Sequence, residues 1–197
     1  MSGHNKWSQI KLKKGKSDAK RSQIFSKYAK LITNEARAAK GNKDAPGLRA
    51  AIERARKENM PNDNIERAVK KATEGGGAAL EQVLYEGYGP GGTAMLIEVL
   101  TDSRNRTSNE LKFILSAHGG NLASPGAAAW AFERVDHSAN AANSDANSAN
   151  EKWHATTTVP LSEEDLLKLD KLVEVLEANE EVQEVFGNGL STGTAVF

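Results

Sequence analysis

A run of three glycines, Gly75-Gly76-Gly77, separates two hydrophobic periods, and no single helical or single β fold accommodates both. Before the run, apolar residues recur three and four apart, the spacing of a helix with one buried face. The first such stretch is 18–39, with Ile24, Phe25, Tyr28, Leu31, Ile32 and Ala36 in register, Ser17 placed to cap it and Gly41 to end it. A second helix is expected over 46–59, built on Leu48, Ile52 and Ala55 and stopped by Pro61. A third is expected over 63–74, with Ile65, Ala68, Val69 and Ala72 inside and Asp63 and Glu66 at capping-box spacing.

After the glycines the pattern becomes that of strands mixed with helices. Residues 83–88 and 93–100 read as strands joined by Gly89-Pro90-Gly91-Gly92. That turn lacks the Lys-Ser/Thr of a phosphate-binding loop and reads as a hairpin connection. A helix over 105–118 carries Leu111, Ile114 and Leu115 and is closed by Gly119-Gly120. Residues 127–135 and 155–159 read as strands, 162–178 as a helix capped by Ser162 with Leu166, Leu167, Leu169, Leu172, Val173 and Leu176 as its apolar face, and 182–186 as a last strand. Between 138 and 150 every residue is Ser, Ala or Asn except Asp145, a composition that cannot form a core. From residue 93 the order is β-α-β-linker-β-α-β, the split βαβ pattern. The expectation is an α+β chain in two domains. Residues 1–77 form a basic arm and helical bundle. Residues 78–197 form a ferredoxin-like α/β sandwich interrupted by a low-complexity linker at 136–152.

The formal net charge of zero conceals a polarised chain. Residues 1–74 hold 13 Lys and 6 Arg against 8 acids, a net of +11, and residues 75–197 carry the compensating −11. A dense positive excess at one end points to nucleic acid; two solvated faces of opposite charge are the plainer alternative. The arm holds Lys6, Lys11, Lys13, Lys14 and Lys16 and no acid. Lys20, Arg21, Lys27, Lys30 and Arg37 decorate the first helix, and Arg67, Lys70 and Lys71 the third. Such residues neutralise phosphates and release counterions. Trp7, among the arm lysines, either stacks on an unpaired base or tucks onto the bundle. Arg104 and Arg106 form a basic spot in the acidic half, at a helix start where amide groups favour anions. Asn59-Met60-Pro61-Asn62 either probes a groove or is an interhelix turn with Met60 packed inside.

Other classes find little support. With no cysteine, disulfides and thiolate metal sites are excluded. His4, His118, His137 and His154 have no ligand spacing, and no nucleophile–base arrangement stands out. No catalytic residue, metal or cofactor is expected. No apolar run approaches the roughly 18 residues of a membrane helix, and no secretory leader is evident.

Several segments resemble one family in its own order: GHNKWSQIKLKK, DAKRSQIFSK, ENMPNDNIERAVKKA, YEGYGPGG, LTDSRNRTSNELKFILSAHGGNLASPGAAAWAFER and, after the linker, TTVPLSEEDLLKLDKLVEVLEANEEVQEVF. Together they look like the YebC/PmpR family, which includes the mitochondrial translational activator of cytochrome oxidase. The resemblance departs in one place. Family members usually carry a third domain, an α/β unit inserted where this chain has only its Asn/Ser/Ala linker. The resemblance implies a non-enzymatic, cytoplasmic or organellar regulator of gene expression, either a ribosome- and RNA-associated translation factor or a DNA-binding transcriptional regulator. No base-reading recognition helix is evident, and charge on an arm suits irregular RNA, so ribosomal RNA is the preferred partner. DNA is the other nucleic-acid partner considered; the acidic residues of 163–184 read as the solvated face of one helix, with a protein-partner surface as the alternative, and the chain is expected to be a monomer.

Overall fold

The computed structural model describes residues 18–74, 80–134 and 153–191. The arm with Lys6, Trp7, Lys11, Lys13, Lys14 and Lys16, the Ser17 cap, the Gly75–Gly77 hinge and the 138–150 linker lie outside the described residues. Two compact units are present: one runs to Val83 and includes Leu100–Ser103, the other takes Leu84–Val99 and the residues from Arg104 on.

The first unit is three helices, α1 (Asp18–Ala38), α2 (Pro46–Lys57) and α3 (Asn62–Thr73). Its core is Ile32, Ala36, Leu48, Ala51, Ala55, Met60, Ile65, Ala68, Val69 and Ala72, with Phe25, Tyr28 and Leu31 packed against it. Half of those buried residues are alanines, which let the helix axes approach closely. The Thr33 hydroxyl of α1 reaches the Ala68 carbonyl of α3 at 3.0 Å. Both α1 and α2 end in the same way. Gly41 N–H donates to the Ala36 carbonyl at 2.8 Å and Lys40 N–H to Arg37 at 3.0 Å, with Lys40 left-handed at φ 50°. Met60 N–H donates to Ala55 at 3.0 Å and Asn59 N–H to Arg56 at 2.9 Å, with Asn59 at φ 61°. These are Schellman ends, and buried Met60 supplies the apolar contact that accompanies them. Helix α2 is therefore stopped by the left-handed Asn59 before Pro61 is reached. The expected Asp63–Glu66 capping box does not form: Pro61 occupies the N-cap, there is no side-chain cap bond, and its carbonyl takes the first turn from Asn64 and Ile65.

The second unit is built on a four-stranded sheet of β1 (Glu81–Tyr88), β2 (Ala94–Thr101), β3 (Asn121–Ala123) and β7 (Val182–Gly187) in the order β3-β1-β2-β7. Helix α4 (Arg104–Ala117) carries the chain from β2 past β1 to β3, which pairs antiparallel with β1. This is a split βαβ, as the ferredoxin-like reading requires. On one sheet face, Met95, Ile97, Val99 and Val185 meet Leu111 and Leu115 of α4 and Leu169, Leu172 and Leu176 of α5 (Glu163–Ala178), all buried. The opposite face, with Leu84, Tyr88, Ala94, Leu96 and Phe186, is covered by Ala128, Ala131, Phe132 and Trp153. Ser162 caps α5 as expected, its hydroxyl accepting from Asp165 N–H at 3.1 Å.

The membership of the sheet differs from the sequence reading. The strand that completes the βαβ is 121–123, three residues at a sheet edge, not 127–135. Residues 124–128 form turns, Ala129–Ala131 a 3-10 turn, and only β4 (Phe132–Arg134) is a strand, paired with β5 (Trp153–Ala155) outside the main sheet. The cause is Glu86, whose carboxylate takes the N–H groups of Gly126, Ala128 and Ala129 that a β-ladder would have used. The expected strand 155–159 is likewise divided. β6 (Val159–Leu161) pairs in parallel with β8 (Gly189–Ser191), a strand the sequence did not suggest. Leu167 was expected on the apolar face of α5 but is 71% exposed.

Candidate nucleic-acid interface

The described cations of the helical unit fall on two helices. On α1, Lys20, Lys27, Lys30 and Arg37 follow one another at intervals of seven, three and seven, which is one stripe of a helix. Ile32 and Ala36, fully buried, lie on the other side, since Lys30 and Ile32 are about 200° apart around the axis. The helix has 21 residues and is about 30 Å long. Lys20, Lys27 and Lys30 are half-buried, so their stems run along the helix surface. Arg21 does not share the stripe. It lies one turn before Phe25, on the flank nearer the core, and is exposed.

Arg67, Lys70 and Lys71 on α3 are exposed. The Arg67 guanidinium folds back along its own helix, donating to Asn64 Oδ1 at 2.5 Å and to the Asp63 carbonyl at 3.3 Å. Lys70 pairs with Glu74 at 3.5 Å, an exposed i,i+4 contact of small energy. In the second unit Arg104 opens α4 and its carbonyl accepts from the Tyr85 hydroxyl at 3.0 Å. Arg106 is ion-paired with Glu181, and Thr107 donates to the same carboxylate at 2.5 Å. Arg106 thus fastens the start of α4 to the segment before β7, and its charge is offset where it stands.

Two features were not legible in the sequence. One is a groove of about 470 Å3 lined by Arg21, Ile24 and Phe25 of α1 and by Glu58, Asn59 and Pro61 of the α2–α3 turn. Helical spacing could place Arg21 near Phe25, but only the packing of α1 beside the turn brings Glu58 and Asn59 to them. The other is Trp130, 60% exposed, with its indole N–H donated to the Ala127 carbonyl at 2.8 Å on the loop that Glu86 holds. Met60, by contrast, is core, and the Gly89–Gly92 segment is a hairpin turn containing a 3-10 turn, as expected. Among the described residues no group of three His, Asp or Glu side chains is arranged to hold a metal ion. Among the same residues no helix is long and apolar enough to cross a membrane.

Fold and charge together define a two-unit α+β protein with a cationic helical unit joined to a split-βαβ unit. The comparisons narrow this class to a family. Residues 5–75 match the TACO1/YebC protein N-terminal domain, and residues 80–137 match the TACO1/YebC second and third domain. A probable transcriptional regulatory protein of Thermoanaerobacter pseudethanolicus is 38% identical, the match covering 95% of this chain and 96% of that one. One from Desulfosudis oleivorans is 44% identical over 94% of this chain and 74% of its own length. One from Syntrophus aciditrophicus reaches 55% identity over 68% of this chain, which spans 55% of that relative. The crystal structure of a conserved hypothetical protein from Aquifex aeolicus superposes with a TM-score of 0.78 at 32% identity, covering 97% of this chain and 99% of that one. The chain belongs to the TACO1/YebC family. The Thermoanaerobacter match runs over 237 positions, more than the 197 residues of this chain, so that relative carries residues with no counterpart here.

Proposed function

We propose that the protein regulates gene expression by binding RNA on the ribosome through its basic helical unit and arm, without catalysing a reaction. The observation that carries this reading is the stripe Lys20–Lys27–Lys30–Arg37 on α1, opposite Ile32 and Ala36. It repeats cations along about 25 Å of helix, from Lys20 to Arg37, and is continuous in sequence with Lys11, Lys13, Lys14 and Lys16. A cationic row of that length follows a phosphate backbone and reads no sequence. Arg67, Lys70 and Lys71 extend the positive surface, with Trp7 as a stacking residue and Lys6 beside it. Arg104 and Arg106 contribute a lesser contact because Arg106 already serves Glu181.

The second reading is a DNA-binding transcriptional regulator, favoured by the names of the relatives. Co-sedimentation with ribosomes at moderate salt, beside binding to random duplex DNA, separates the two. Retention on ribosomes with weaker duplex binding is expected. Tight duplex binding with no ribosome association overturns the preferred reading.

A further inference from the structure

We propose that Trp130 is a fixed stacking surface for one unpaired base of RNA, carried by the second unit. The inference rests on the RNA reading above and adds to it a contact that does not depend on charge. Trp130 is 60% exposed on the 3-10 turn Ala129–Ala131. The loop around it is pinned. The Glu86 carboxylate takes the N–H groups of Gly126, Ala128 and Ala129, and the Tyr88 hydroxyl donates to the Ala127 carbonyl. The Trp130 indole N–H donates to that same carbonyl at 2.8 Å, and Ala131 and Phe132, which follow, are buried. The ring is held before any ligand arrives, so covering it costs little side-chain entropy. Its one polar group is already satisfied, so the surface it leaves to solvent is carbon. A flat apolar face can cover that surface with no hydrogen bond lost.

The surroundings select the occupant. Ser124, Pro125, Gly126, Glu133 and Arg134 are exposed, and none is a large apolar residue. Among the described residues the other large apolar side chains left exposed are Phe113 on α4 and Leu167 on α5, the helices of the opposite sheet face. A protein interface is built on a contiguous apolar centre, which one ring among small and charged residues does not supply. One ring matches one base, and stacking accepts any base because each has a π face. The net −11 of residues 75–197 sets the mode of contact: phosphates are repelled there, so RNA meets this unit through a base and not through its backbone.

The test uses the full chain bearing Trp7→Phe, which removes the arm indole; of the two left, Trp153 is partly buried. This protein is titrated with a short oligo(A) strand, with an abasic strand of equal length and with AMP, while indole emission is followed. Oligo(A) is expected to quench the emission, and the abasic strand, which keeps the phosphates, to leave it unchanged. Trp130→Ala should weaken oligo(A) binding by roughly tenfold with an unchanged salt slope and unchanged affinity for the abasic strand. Trp130→Phe keeps a ring without the N–H and should retain most of the affinity. The quenching is read on intact Trp130, so it stands even where a variant unfolds.

Emission unmoved by oligo(A), or quenched equally by the abasic strand, overturns the stacking surface and leaves the RNA reading standing where binding keeps its salt slope. Oligo(A) affinity unchanged in Trp130→Ala also overturns it, and loss of ribosome association in that same variant marks a protein contact instead. AMP quenching at the same concentrations as the strand indicates a free-nucleotide site and overturns the assignment to RNA. Salt-dependent RNA binding that is absent altogether removes both readings.

Discussion

The carboxylate of Glu86 accepts the backbone N–H of Ala128 at 2.7 Å, forty-two residues further along the chain. The same carboxylate takes Gly126 N–H at 2.6 Å and Ala129 N–H at 2.8 Å, so one buried anion on β1 holds the whole 126–129 turn. Burial alone pushes the Glu86 carboxyl up. The three N–H donors together outweigh burial and hold it below its ordinary value.

Glu86→Gln leaves one acceptor oxygen and sets an amide NH2 against backbone donors. A cost on the order of 1–3 kcal/mol is expected, from donors left without a partner. The pH dependence has a fixed sign. A carboxyl depressed in the folded state stabilises fully above its unfolded value, about 4.3, and loses that contribution as pH falls through the folded value. The stability gap between wild type and variant should be widest near neutral pH and shrink below about pH 4. A gap that is constant with pH in urea titrations would show that the Glu86 carboxyl is not depressed in the fold, and a gap that widens as pH falls would show that it is protonated there.

The helices were legible because each buries a face with its own period: Ile65, Ala68, Val69 and Ala72 are all core, as the spacing implied. The hairpin was legible from Gly89–Gly92 and the change of period. What escaped depends on partners distant in sequence. Nothing in SPGAAAWAFER announces that Glu86 will claim its N–H groups, so a run of alanines read as a strand. Residues 121–123 are too short to alternate. Leu167 was assigned inward because it sits among leucines, yet α5 buries only Leu169, Leu172, Val173 and Leu176. At the interface, the cationic stripe could be read from spacing. The groove could not, because it needs the α2–α3 turn folded against α1.

Asn188 joins three segments. Its Oδ1 accepts Ala94 N–H at 2.8 Å, its Nδ2 donates to the Thr157 carbonyl at 3.0 Å, and its own carbonyl accepts Val159 N–H at 2.9 Å. The residue is 1% exposed. Asn188→Ala strips both side-chain partners and should cost about 1–3 kcal/mol for each group left buried and unpaired. Hydrogen exchange at the Ala94 amide gives a local check. Unchanged protection there would mean water replaces the side chain.

Gly91 sits in the 3-10 turn of the hairpin at φ 67°, and a Cβ there would overlap Leu161 Cδ2. Gly91→Ala meets both the left-handed penalty of about 1 kcal/mol and a shift of the buried Leu161. Gly92, also at positive φ, has nothing within 4 Å of such a Cβ. Gly92→Ala should therefore show the conformational penalty alone, and thermal unfolding should rank Gly91→Ala as the less stable of the two. Equal melting temperatures would mean that Leu161 yields without cost.

The charge stripe makes the remaining prediction, and salt separates it from its alternative. If Lys20, Lys27 and Lys30 neutralise phosphates, replacing all three with Gln should lower RNA affinity. It should also flatten the plot of log affinity against log salt by about 0.7 per lost contact on a single strand. Because the three lie opposite Ile32 and Ala36, the core is untouched and the melting temperature should change little. The Lys11, Lys13, Lys14 and Lys16 quadruple Gln variant should flatten the slope further, by the same increment per contact. Trp7→Ala isolates stacking: a loss on the order of 1–3 kcal/mol with the slope unchanged is expected if the indole lies on a base. A lower melting temperature with unchanged affinity per folded molecule would place Trp7 in the bundle instead. The opposite arrangement, in which the cations of the helical unit serve only to balance the −11 of residues 75–197, makes a different set of predictions. Stability of the intact chain would then fall with added salt, and the Gln variants would lose that salt sensitivity while binding RNA as the wild type does. RNA slope and stability slope, measured on the same proteins over the same salt range, cannot both be satisfied by one arrangement.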